Sequence, residues 1–284
     1  MTNLTCLITG ATSGIGEATA ARLAASGAHV IAIARDAERG SAAAHRIRAR
    51  APGARVDLLT ADLAVLAEVR GLADQVTARY ERLDVLILNA GVARPRRELT
   101  SEGLEVDFAT NHLSPFLLTQ LLRGLLCSSA PARVVAVSSH AHRQVKQVDF
   151  DGLADGRDFH HLRSYSTTKL LTILFATELA RQLSDSAVTV NAADPGFVRT
   201  ALGRDARGAF GLFLKAVRPF QLSPNKAAAT PVHLALSPEV SGVTGGYFAK
   251  CRPATPSELA QDSALADRLW KLSDELVTRE AYEK

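Results

Sequence analysis

The stretch Thr9-Gly10-Ala11-Thr12-Ser13-Gly14-Ile15-Gly16 decides the fold, because it joins a short apolar run to a segment of helical periodicity. The run before it, Leu4–Thr9, has the length of a buried β-strand. The glycines permit a tight turn, a close backbone approach to a ligand and close packing of the helix on the strand. A helix N-terminus after such a turn attracts phosphate, which predicts a nucleotide pyrophosphate site. The residues predicted to form it are Gly10, Thr12, Ser13, Gly14, Ile15 and Gly16.

Strand-length apolar runs and helix-length segments alternate along the rest of the chain. The strand-like runs are Leu4–Thr9, His29–Ala34, Val56–Thr60, Val85–Leu88, Val134–Ser138, Val188–Ala192 and Gly245–Ala249. The helix-like segments are Gly16–Ser26, Ala37–Arg50, Leu66–Arg82, Ser101–Cys127, Tyr165–Leu183 and Lys226–Leu236. Continuous apolar strands separated by helices predict an α/β fold, a single Rossmann-type doubly wound domain with a seven-stranded parallel sheet flanked by helices. Ligands then bind at the carboxyl edge of the strands.

Two regions interrupt the alternation and set the expected domain organisation. Residues 1–250 are expected to form the Rossmann-type domain, and residues 251–284 a C-terminal extension packed on the same domain. The extension contains a predicted amphipathic helix, with leucines 265, 269, 272 and 276 at helical spacing. Within the domain, residues 196–223 are rich in apolar side chains, glycines and arginines. The aromatic side chains of this segment could pack into the core or against the tail helix.

Composition excludes several classes of protein. The chain has 284 residues, of which 47% are hydrophobic, and a net charge of +4 spread along its length. We expect no nucleic-acid partner, since a nucleic-acid binder concentrates its basic residues. The N-terminus lacks the pattern of a secretory signal, and no apolar run is long enough to span a membrane. The three cysteines, Cys6, Cys127 and Cys251, have no disulfide or zinc spacing, so we expect a cytoplasmic protein.

Further motifs follow the glycine stretch in a fixed order. Asn89-Ala90-Gly91 follows the fourth strand, Asn111 lies in a helix, and Ser139 follows the fifth strand. Tyr165 and Lys169 form a YxxxK pair, and Pro195-Gly196 follows the sixth strand. Together with the TGxxxGxG spacing, these motifs resemble the short-chain dehydrogenase/reductase family over residues 4 to about 250. Within it, Asn111-His112-Leu113 and the tail look most similar to the retinol-dehydrogenase-like and carbonyl-reducing branch.

The resemblance implies a catalytic set of Asn111, Ser139, Tyr165 and Lys169. Tyr165 would give the proton in carbonyl reduction, and its pKa would have to fall because a free phenol titrates near 10. Lys169 lies one helical turn further on and would lower it, Ser139 would bind the substrate oxygen, and Asn111 would hold a water linked to Lys169. Two alternatives stay open: Ser138 as the catalytic hydroxyl, and Asn111 as a buried structural amide.

The resemblance also implies contacts with NADP(H). Asp36 stands about 20 residues after the glycines, which is the generic signal for NAD. In NAD-dependent relatives, however, the acid ends strand two, where this chain has Ala34, and the next residue here is Arg35. We therefore predict that Arg35 binds the 2′-phosphate and that Asp36 caps the following helix. The other expected cofactor contacts are Asp62, Leu63, Asn89, Ala90, Gly91, Tyr165, Lys169, Pro195, Gly196, Val198 and Thr200.

Several alternatives remain beside these roles. Asp62, expected at the adenine, could instead cap the helix that begins at Leu66. Asp194 replaces the His, Asn or Ser that is commoner before Pro-Gly in the family. No metal is expected, because the histidines at 140, 142, 160 and 161 lack a standard zinc spacing. A homodimer or homotetramer is expected from the family, although the tail from Arg252 could cover an assembly surface.

The predicted function is an NADP(H)-dependent oxidoreductase that interconverts a carbonyl and an alcohol on an apolar small molecule. The resemblance implies that residues 196–223 close over the substrate as a lid, with its glycines as hinges. The apolar residues of this lid support the substrate class, namely Phe197, Phe210, Leu212, Phe213, Leu214 and Phe220. If charged substrates are preferred, Arg204, Arg207 and Arg218 become the candidates for recognition. The rival readings are a C=C reductase of the same family, a nucleotide-sugar epimerase or dehydratase, and a non-catalytic NADP(H)-binding regulator. A regulator would tend to lose Tyr165 or Lys169, and both are present.

Overall fold

The computed structural model describes residues 4–197 and 222–282. In the first half of the chain, strands and helices alternate as the apolar pattern predicts. The elements are β1 (Thr5–Thr9), α1 (Gly14–Ala25), β2 (His29–Ala34), α2 (Ala37–Arg50), β3 (Val56–Thr60), α3 (Leu66–Arg79) and β4 (Val85–Leu88). The expected contacts Val198 and Thr200, and nearly all of the predicted lid, lie outside the described residues.

The second half of the chain carries the longer helices. Its elements are α4 (Val106–Phe108), a π-helical stretch (Ala109–Leu113), α5 (Ser114–Ser128), β5 (Ala132–Val137), a 3₁₀ turn (His140–Gln144), α6 (His161–Gln182), β6 (Val188–Asp194), α7 (Pro224–Ala227), α8 (Ala229–Leu236), β7 (Tyr247–Ala249), β8 (Arg252–Pro253) and α9 (Ser263–Tyr282). Two further 3₁₀ turns span Pro238–Val240 and Glu258–Gln261. The amphipathic tail helix expected from the leucine spacing corresponds to α9.

The strands form one sheet in the order β3-β2-β1-β4-β5-β6-β7-β8. The pairs from β3 through β7 are parallel, which confirms the doubly wound architecture with seven parallel strands. The eighth strand was not predicted: β8 pairs antiparallel with β7. The chain reverses between them at Lys250 and Cys251, both in the left-handed region. A two-residue hairpin of this kind normally uses glycine or asparagine, so Lys250 and Cys251 carry no turn signal that would have predicted it.

Two apolar cores lie on the two faces of the sheet. One contains Leu66, Phe116 and Leu170 and receives Trp270 of α9 at its margin. The other contains Leu23, Ile47 and Leu234 from α1, α2 and α8. Because both faces are covered, the central strands β1, β2, β4, β5 and β6 are buried along nearly their whole length, and the loops at the strand ends are left to form sites.

The prediction of one helix over Ser101–Cys127 is wrong in its first part. Residues 101–105 form a turn in which Gly103 has a φ of +77° and Thr100 N–H donates to the Leu104 carbonyl at 2.7 Å. The helix begins at Val106, where Glu105 accepts hydrogen bonds from the backbone N–H groups of Asp107 and Phe108. The turn over residues 101–105 therefore lies outside the helix, and Glu105 caps the helix that follows. The apolar spacing alone revealed neither feature.

Candidate active site

The glycine loop leaves the N-terminus of α1 open to a ligand. Ser13 precedes α1 but makes no side-chain capping bond, and Gly14 has a φ of +59° with open space where a Cβ would stand. A Cβ on Gly16 would come within 2.2 Å of the Gly10 carbonyl oxygen, so only glycine permits this packing. Uncapped N–H groups at the start of a 12-residue helix suit a pyrophosphate, and these residues therefore fit a dinucleotide.

Side chains behind the loop hold it in place. Asn89 Nδ2 donates to the Thr9 carbonyl at 2.9 Å, while the Thr9 hydroxyl accepts from the N–H groups of Asn89 and Ala90, each at 3.0 Å. The Arg46 guanidinium donates to the Thr12 carbonyl at 3.1 Å and is paired with the buried Glu17 at 2.7 Å. The contribution of Arg46 was missed because it comes from α2, on the far side of β2 in the chain.

Of the two residues after β2, Asp36 caps α2 as predicted, and Arg35 lies beside it. Arg35 is exposed, and Asp36 accepts a hydrogen bond from Arg39 N–H at 2.8 Å as the N-cap of α2. The carboxylate of Asp36 is therefore engaged by its own helix. The Arg35 guanidinium projects from the carboxyl end of β2, the edge to which the glycine loop belongs.

Asp62 does not cap α3, which removes the alternative role left open for it. Its Oδ1 accepts from Ala64 N–H at 3.0 Å in a local turn, and α3 begins after Val65. The first N–H groups of α3 donate instead to the carboxylate of Glu102, at 3.0 Å from Leu66 and 3.2 Å from Ala67. Asp62 stays partly exposed and Leu63 is buried, both directly after β3 at the carboxyl edge.

Tyr165 and Lys169 share one face of α6, as their spacing predicts. The Lys169 ammonium lies 5.7 Å from the centre of the Tyr165 ring and donates to the Val137 carbonyl at 3.0 Å. A Cβ on Gly91 would stand 3.3 Å from Lys169 Nζ, so glycine there keeps the lysine accessible from the cofactor side. Burial lowers the pKa of Lys169 to about 8, and the carboxylate of Asp107 opposes that shift.

The pKa of Tyr165 differs from the expectation of a lowered value. Burial is the largest cause and raises it to about 12, with the negative charges of Asp194 and Asp107 acting in the same direction. A hydrogen bond with the Ser139 side chain works the other way. The protein's own groups therefore keep this phenol protonated, because desolvation of the phenolate outweighs the help it receives.

The two serines after β5 are separated by their contacts. Ser138 is buried and its hydroxyl donates to the Lys169 carbonyl at 2.7 Å, so it joins β5 to α6. The Ser139 hydroxyl accepts from Ala141 N–H at 3.2 Å and is close enough to Tyr165 to lower the pKa of its phenol. Ser139 is therefore the serine that acts on Tyr165, whereas the hydroxyl of Ser138 is engaged by the α6 backbone.

Asn111 lies in the π-helical stretch and its amide is bound by the protein. Its Oδ1 accepts from Val92 N–H and its Nδ2 donates to the Val92 carbonyl, both at 2.8 Å, and Nδ2 also donates to the Thr168 hydroxyl at 3.0 Å. These bonds tie the loop after β4 to α6, which agrees with the structural alternative for its side chain. A cavity of about 10 Å³ beside Asn111 and Lys169 has room for a single water.

Two carboxylates that were not predicted as site residues lie close to the predicted catalytic residues. Asp107, one turn before Asn111, is fully buried and accepts from Arg94 N–H at 3.0 and 3.1 Å. Burial, reinforced by the neighbouring charge of Glu105, raises its pKa to about 7. Asp194, at the end of β6, accepts from Gly196 N–H at 2.8 Å and from the Tyr247 hydroxyl at 2.7 Å. An acidic residue on an otherwise apolar helix face was the available signal for Asp107.

The described residues offer neither a cluster of metal ligands nor a membrane-spanning helix. In residues 4–197 and 222–282, no group of three or more His, Cys, Asp or Glu side chains is placed to hold a metal ion. Of the four histidines considered for a metal, His142 is buried and His161 Nδ1 lies 2.6 Å from the Arg94 carbonyl. In the same part of the chain, no helix combines the length and apolar character needed to cross a bilayer.

Comparisons with known proteins agree with this geometry. The family model for short chain dehydrogenases matches residues 4–209. Retinol dehydrogenase 14 of Mus musculus is 42% identical over 289 aligned positions, covering 96% of this chain and 85% of the relative.

Solved structures with a similar fold include the following two. A protein of uncharacterised function from Mycobacterium Paratuberculosis has a TM-score of 0.78 and 31% identity, covering 97% of this chain and 93% of its own. A variant of actinorhodin polyketide ketoreductase with NADPH has a TM-score of 0.68 and 27% identity, covering 87% and 95%. The chain therefore belongs to the short-chain dehydrogenase/reductase family, in its retinol-dehydrogenase-like branch, and is an enzyme of that type.

Proposed function

We propose that this enzyme is an NADP(H)-dependent oxidoreductase that interconverts a carbonyl and an alcohol on an apolar small molecule, with Tyr165 as the general acid and base. The arrangement of Tyr165, Ser139 and Lys169 carries the proposal. Ser139 is close enough to Tyr165 to lower the pKa of its phenol, and Lys169 follows one helical turn later, at the sheet edge that also holds the glycine loop. Such a group of donors can bind a carbonyl oxygen and protonate it as charge develops.

Each side chain has a distinct task in this reaction. When bound, the nicotinamide exchanges a hydride with the substrate carbon and, in its oxidised form, adds a positive charge. Ser139 donates to the substrate oxygen and orients it toward Tyr165 Oη. Tyr165 holds the proton that the oxygen receives, and the ammonium of Lys169 stabilises the phenolate left behind. Asn111 positions the Gly91–Val92 backbone against α6, which keeps Lys169 in place.

NADP(H) is favoured over NAD(H) by the residues after β2. Arg35 is exposed at the end of the strand and suits a 2′-phosphate, whereas Asp36 is engaged as the cap of α2. The ketoreductase with a similar fold is recorded with NADPH, which supports the same choice. The remaining expected contacts, from Asp62 and Leu63 to Gly91, Pro195 and Gly196, line the same carboxyl edge.

An apolar substrate is supported by two observations. The name of the mouse relative, retinol dehydrogenase, refers to an apolar alcohol. Phe197, at the start of the proposed lid, has 52% of its surface exposed just beyond the site. We also place the protein in a reducing cytosol, in keeping with its three unpaired cysteines, and expect a homodimer or homotetramer.

A substrate panel tests the function directly. Purified enzyme is mixed with NADPH and a series of aldehydes and ketones of rising chain length, and the absorbance of NADPH is followed. We expect kcat/KM to rise by about fourfold for each added methylene, which corresponds to ~0.8 kcal/mol of burial. A flat series or a preference for charged carbonyls would contradict the apolar substrate. Turnover of enones alone would indicate a C=C reductase, and NADPH binding without any turnover would indicate a regulator.

A further inference from the structure

The C-terminal extension reaches the catalytic serine through one buried histidine. His142 belongs to the 3₁₀ turn that follows Ser139, and its side chain is fully buried. Its Nδ1 lies 2.7 Å from the Ser139 carbonyl oxygen, and its own backbone N–H donates to the same oxygen at 3.2 Å. One residue thus holds the backbone of Ser139 at two points.

The other ring nitrogen of His142 fixes the position of the ring proton. The backbone N–H of Ser257, in the C-terminal extension, donates to His142 Nε2 at 3.1 Å. A backbone N–H can only donate and a carbonyl can only accept, so Nε2 must be unprotonated and Nδ1 must carry the hydrogen. The ring is therefore neutral, with both nitrogens used and no capacity left for a second proton.

Neighbouring groups connect the turn after β5 to Asp194 and to the C-terminal extension. The His142 ring packs edge-on against Tyr247 with the ring centres 5.3 Å apart, and the Tyr247 hydroxyl donates to Asp194. Arg143 donates to the carbonyl of Thr255, two residues before Ser257. The extension is thus joined to the turn after β5 at two consecutive residues.

A second buried histidine makes a parallel connection. His112 follows Asn111 in the π-helical stretch, and its Nε2 lies 2.7 Å from the hydroxyl of Ser273 in α9. That hydroxyl donates to the Leu269 carbonyl at 2.7 Å, so it accepts from His112. Both segments that carry catalytic residues outside α6 are therefore bonded to residues of the extension.

We propose that His142 is a positioning residue for Ser139, and that Ser257 of the C-terminal extension holds its ring in the Nδ1–H form that this task needs. The proposal rests on the proposed function of Ser139. Without the ring, the turn loses the side-chain bond to the Ser139 carbonyl, and the hydroxyl is free to drift from the substrate oxygen. Since a small displacement of a catalytic group is costly, the effect falls on kcat rather than on cofactor binding.

The groups around His142 determine how it responds to pH. Burial lowers its pKa most, its bond to Ser139 and the charge of Asp194 raise it, and Arg143 and His140 lower it further. Protonation of Nε2 would place two N–H groups face to face at Ser257. The bond would break, and we expect kcat to fall on the acid side as the ring gains its second proton. Asp107 titrates in wild type and in the variants alike, so its contribution cancels in the comparison.

Three variants test the proposal. His142→Phe removes both ring nitrogens, and His142→Asn keeps an amide donor where Nδ1 lies. His29→Phe is the matched control. His29 lies at the start of β2, far from the site, and is hydrogen-bonded to Asp57 of β3. We expect His142→Phe to lower kcat about 10-fold, the scale of losing one buried hydrogen bond, with the NADPH Kd unchanged. His142→Asn should restore most of kcat and abolish the acid limb, and His29→Phe should lower only Tm.

The measurements separate this proposal from the proposed function. Wild-type kcat in a folded His142→Phe enzyme, or an unchanged acid limb in His142→Asn, would overturn the positioning role. If His142→Phe does not fold, His142→Asn still decides through its pH profile. Nitrogen NMR of the wild-type ring must show a hydrogen on Nδ1, and a hydrogen on Nε2 would contradict the proposal whatever the turnover. A wild-type enzyme that turns over no carbonyl would instead reject the proposed function.

Discussion

The two edges of the sheet treat titratable side chains in opposite ways. At the amino edge, Asp57 accepts from Tyr80 at 2.9 Å and bonds with His29 at 2.8 Å. Burial works against its ionisation, yet these bonds and the positive charge beside it hold its pKa below the ordinary value. Asp84 accepts from Thr5 N–H at 2.7 Å and pairs with Arg82. Charges at this edge are matched by the protein itself, which is typical of groups that serve stability.

At the carboxyl edge, burial dominates and the pKa values move toward the neutral forms. The pKa of Asp107 rises to about 7, that of Tyr165 rises to about 12, and that of Lys169 falls to about 8. The hydrogen bonds that these groups make within the protein do not offset the free-energy cost of removing their charged forms from water. The pKa of Tyr80 at the amino edge also rises to about 12, so the contrast between the edges lies in the carboxylates and in Lys169. Perturbed pKa values such as those of Asp107 and Lys169 gather where chemistry is done.

The largest expected effect is at Tyr165 on the carboxyl edge, and it contrasts with the small effect expected at Tyr80 on the amino edge. Tyr165→Phe removes only a hydroxyl, so the fold and the cofactor site should survive while turnover falls by at least ~100-fold, the scale of losing a positioned acid. Turnover with NADPH and the best carbonyl of the panel measures it, with Tm and NADPH affinity as checks on folding. A folded Tyr165→Phe enzyme with near-normal kcat would reject the mechanism.

The next effect concerns an exposed charge at the carboxyl edge. Arg35→Ala should weaken NADPH binding by roughly 10- to 100-fold and leave NADH unchanged, because charge-assisted bonds to the 2′-phosphate are worth ~1.5–3 kcal/mol. Titration of both cofactors measures the two Kd values. Equal loss for both would show that Arg35 is structural.

Asp36→Ala is the companion variant to Arg35→Ala. It should cost about 1 kcal/mol through loss of the α2 cap. Its NADH affinity should not change, since the carboxylate is committed to Arg39 N–H.

A smaller effect is expected from the buried carboxylate of Asp107. Its folded pKa lies above the ordinary 3.8, so the folded state holds the proton more tightly than the unfolded chain. Stability is therefore lost as pH rises from about 4 through about 7, where the buried group must ionise. Asp107→Asn removes this penalty and should raise Tm by on the order of 2–4 °C at pH 8, with little gain at pH 4. A gain that is the same at both pH values would show that ionisation is not the cause.

The smallest effect returns to the amino edge. Tyr80→Phe removes the hydroxyl that donates to Asp57 and should cost about 1 kcal/mol of unfolding free energy. Because this edge lies at the opposite end of the strands from the proposed active site, kcat and the NADPH Kd should match the wild type. Denaturant unfolding and the standard turnover assay provide both numbers. A marked loss of turnover would contradict the conclusion that charges at the amino edge serve stability alone.

Local sequence determined much of this protein. The glycine stretch, the Tyr165–Lys169 spacing and the Asp36 cap could be predicted, because each depends on residues within about one helical turn or on a backbone that glycine alone adopts. The parallel, doubly wound sheet followed from the alternation of apolar runs and helices, because continuous apolar strands separated by helices are covered on both faces.

Only the tertiary structure decided the features that join distant residues or depend on burial. Glu102 caps α3 from 36 residues away, and Ser257 fixes the ring of His142 from 115 residues away, distances over which no spacing rule operates. The rise in the pKa of Tyr165, where the spacing of Lys169 suggested a fall, has the same origin. Desolvation depends on what surrounds a group in three dimensions, and a sequence pattern does not contain that information.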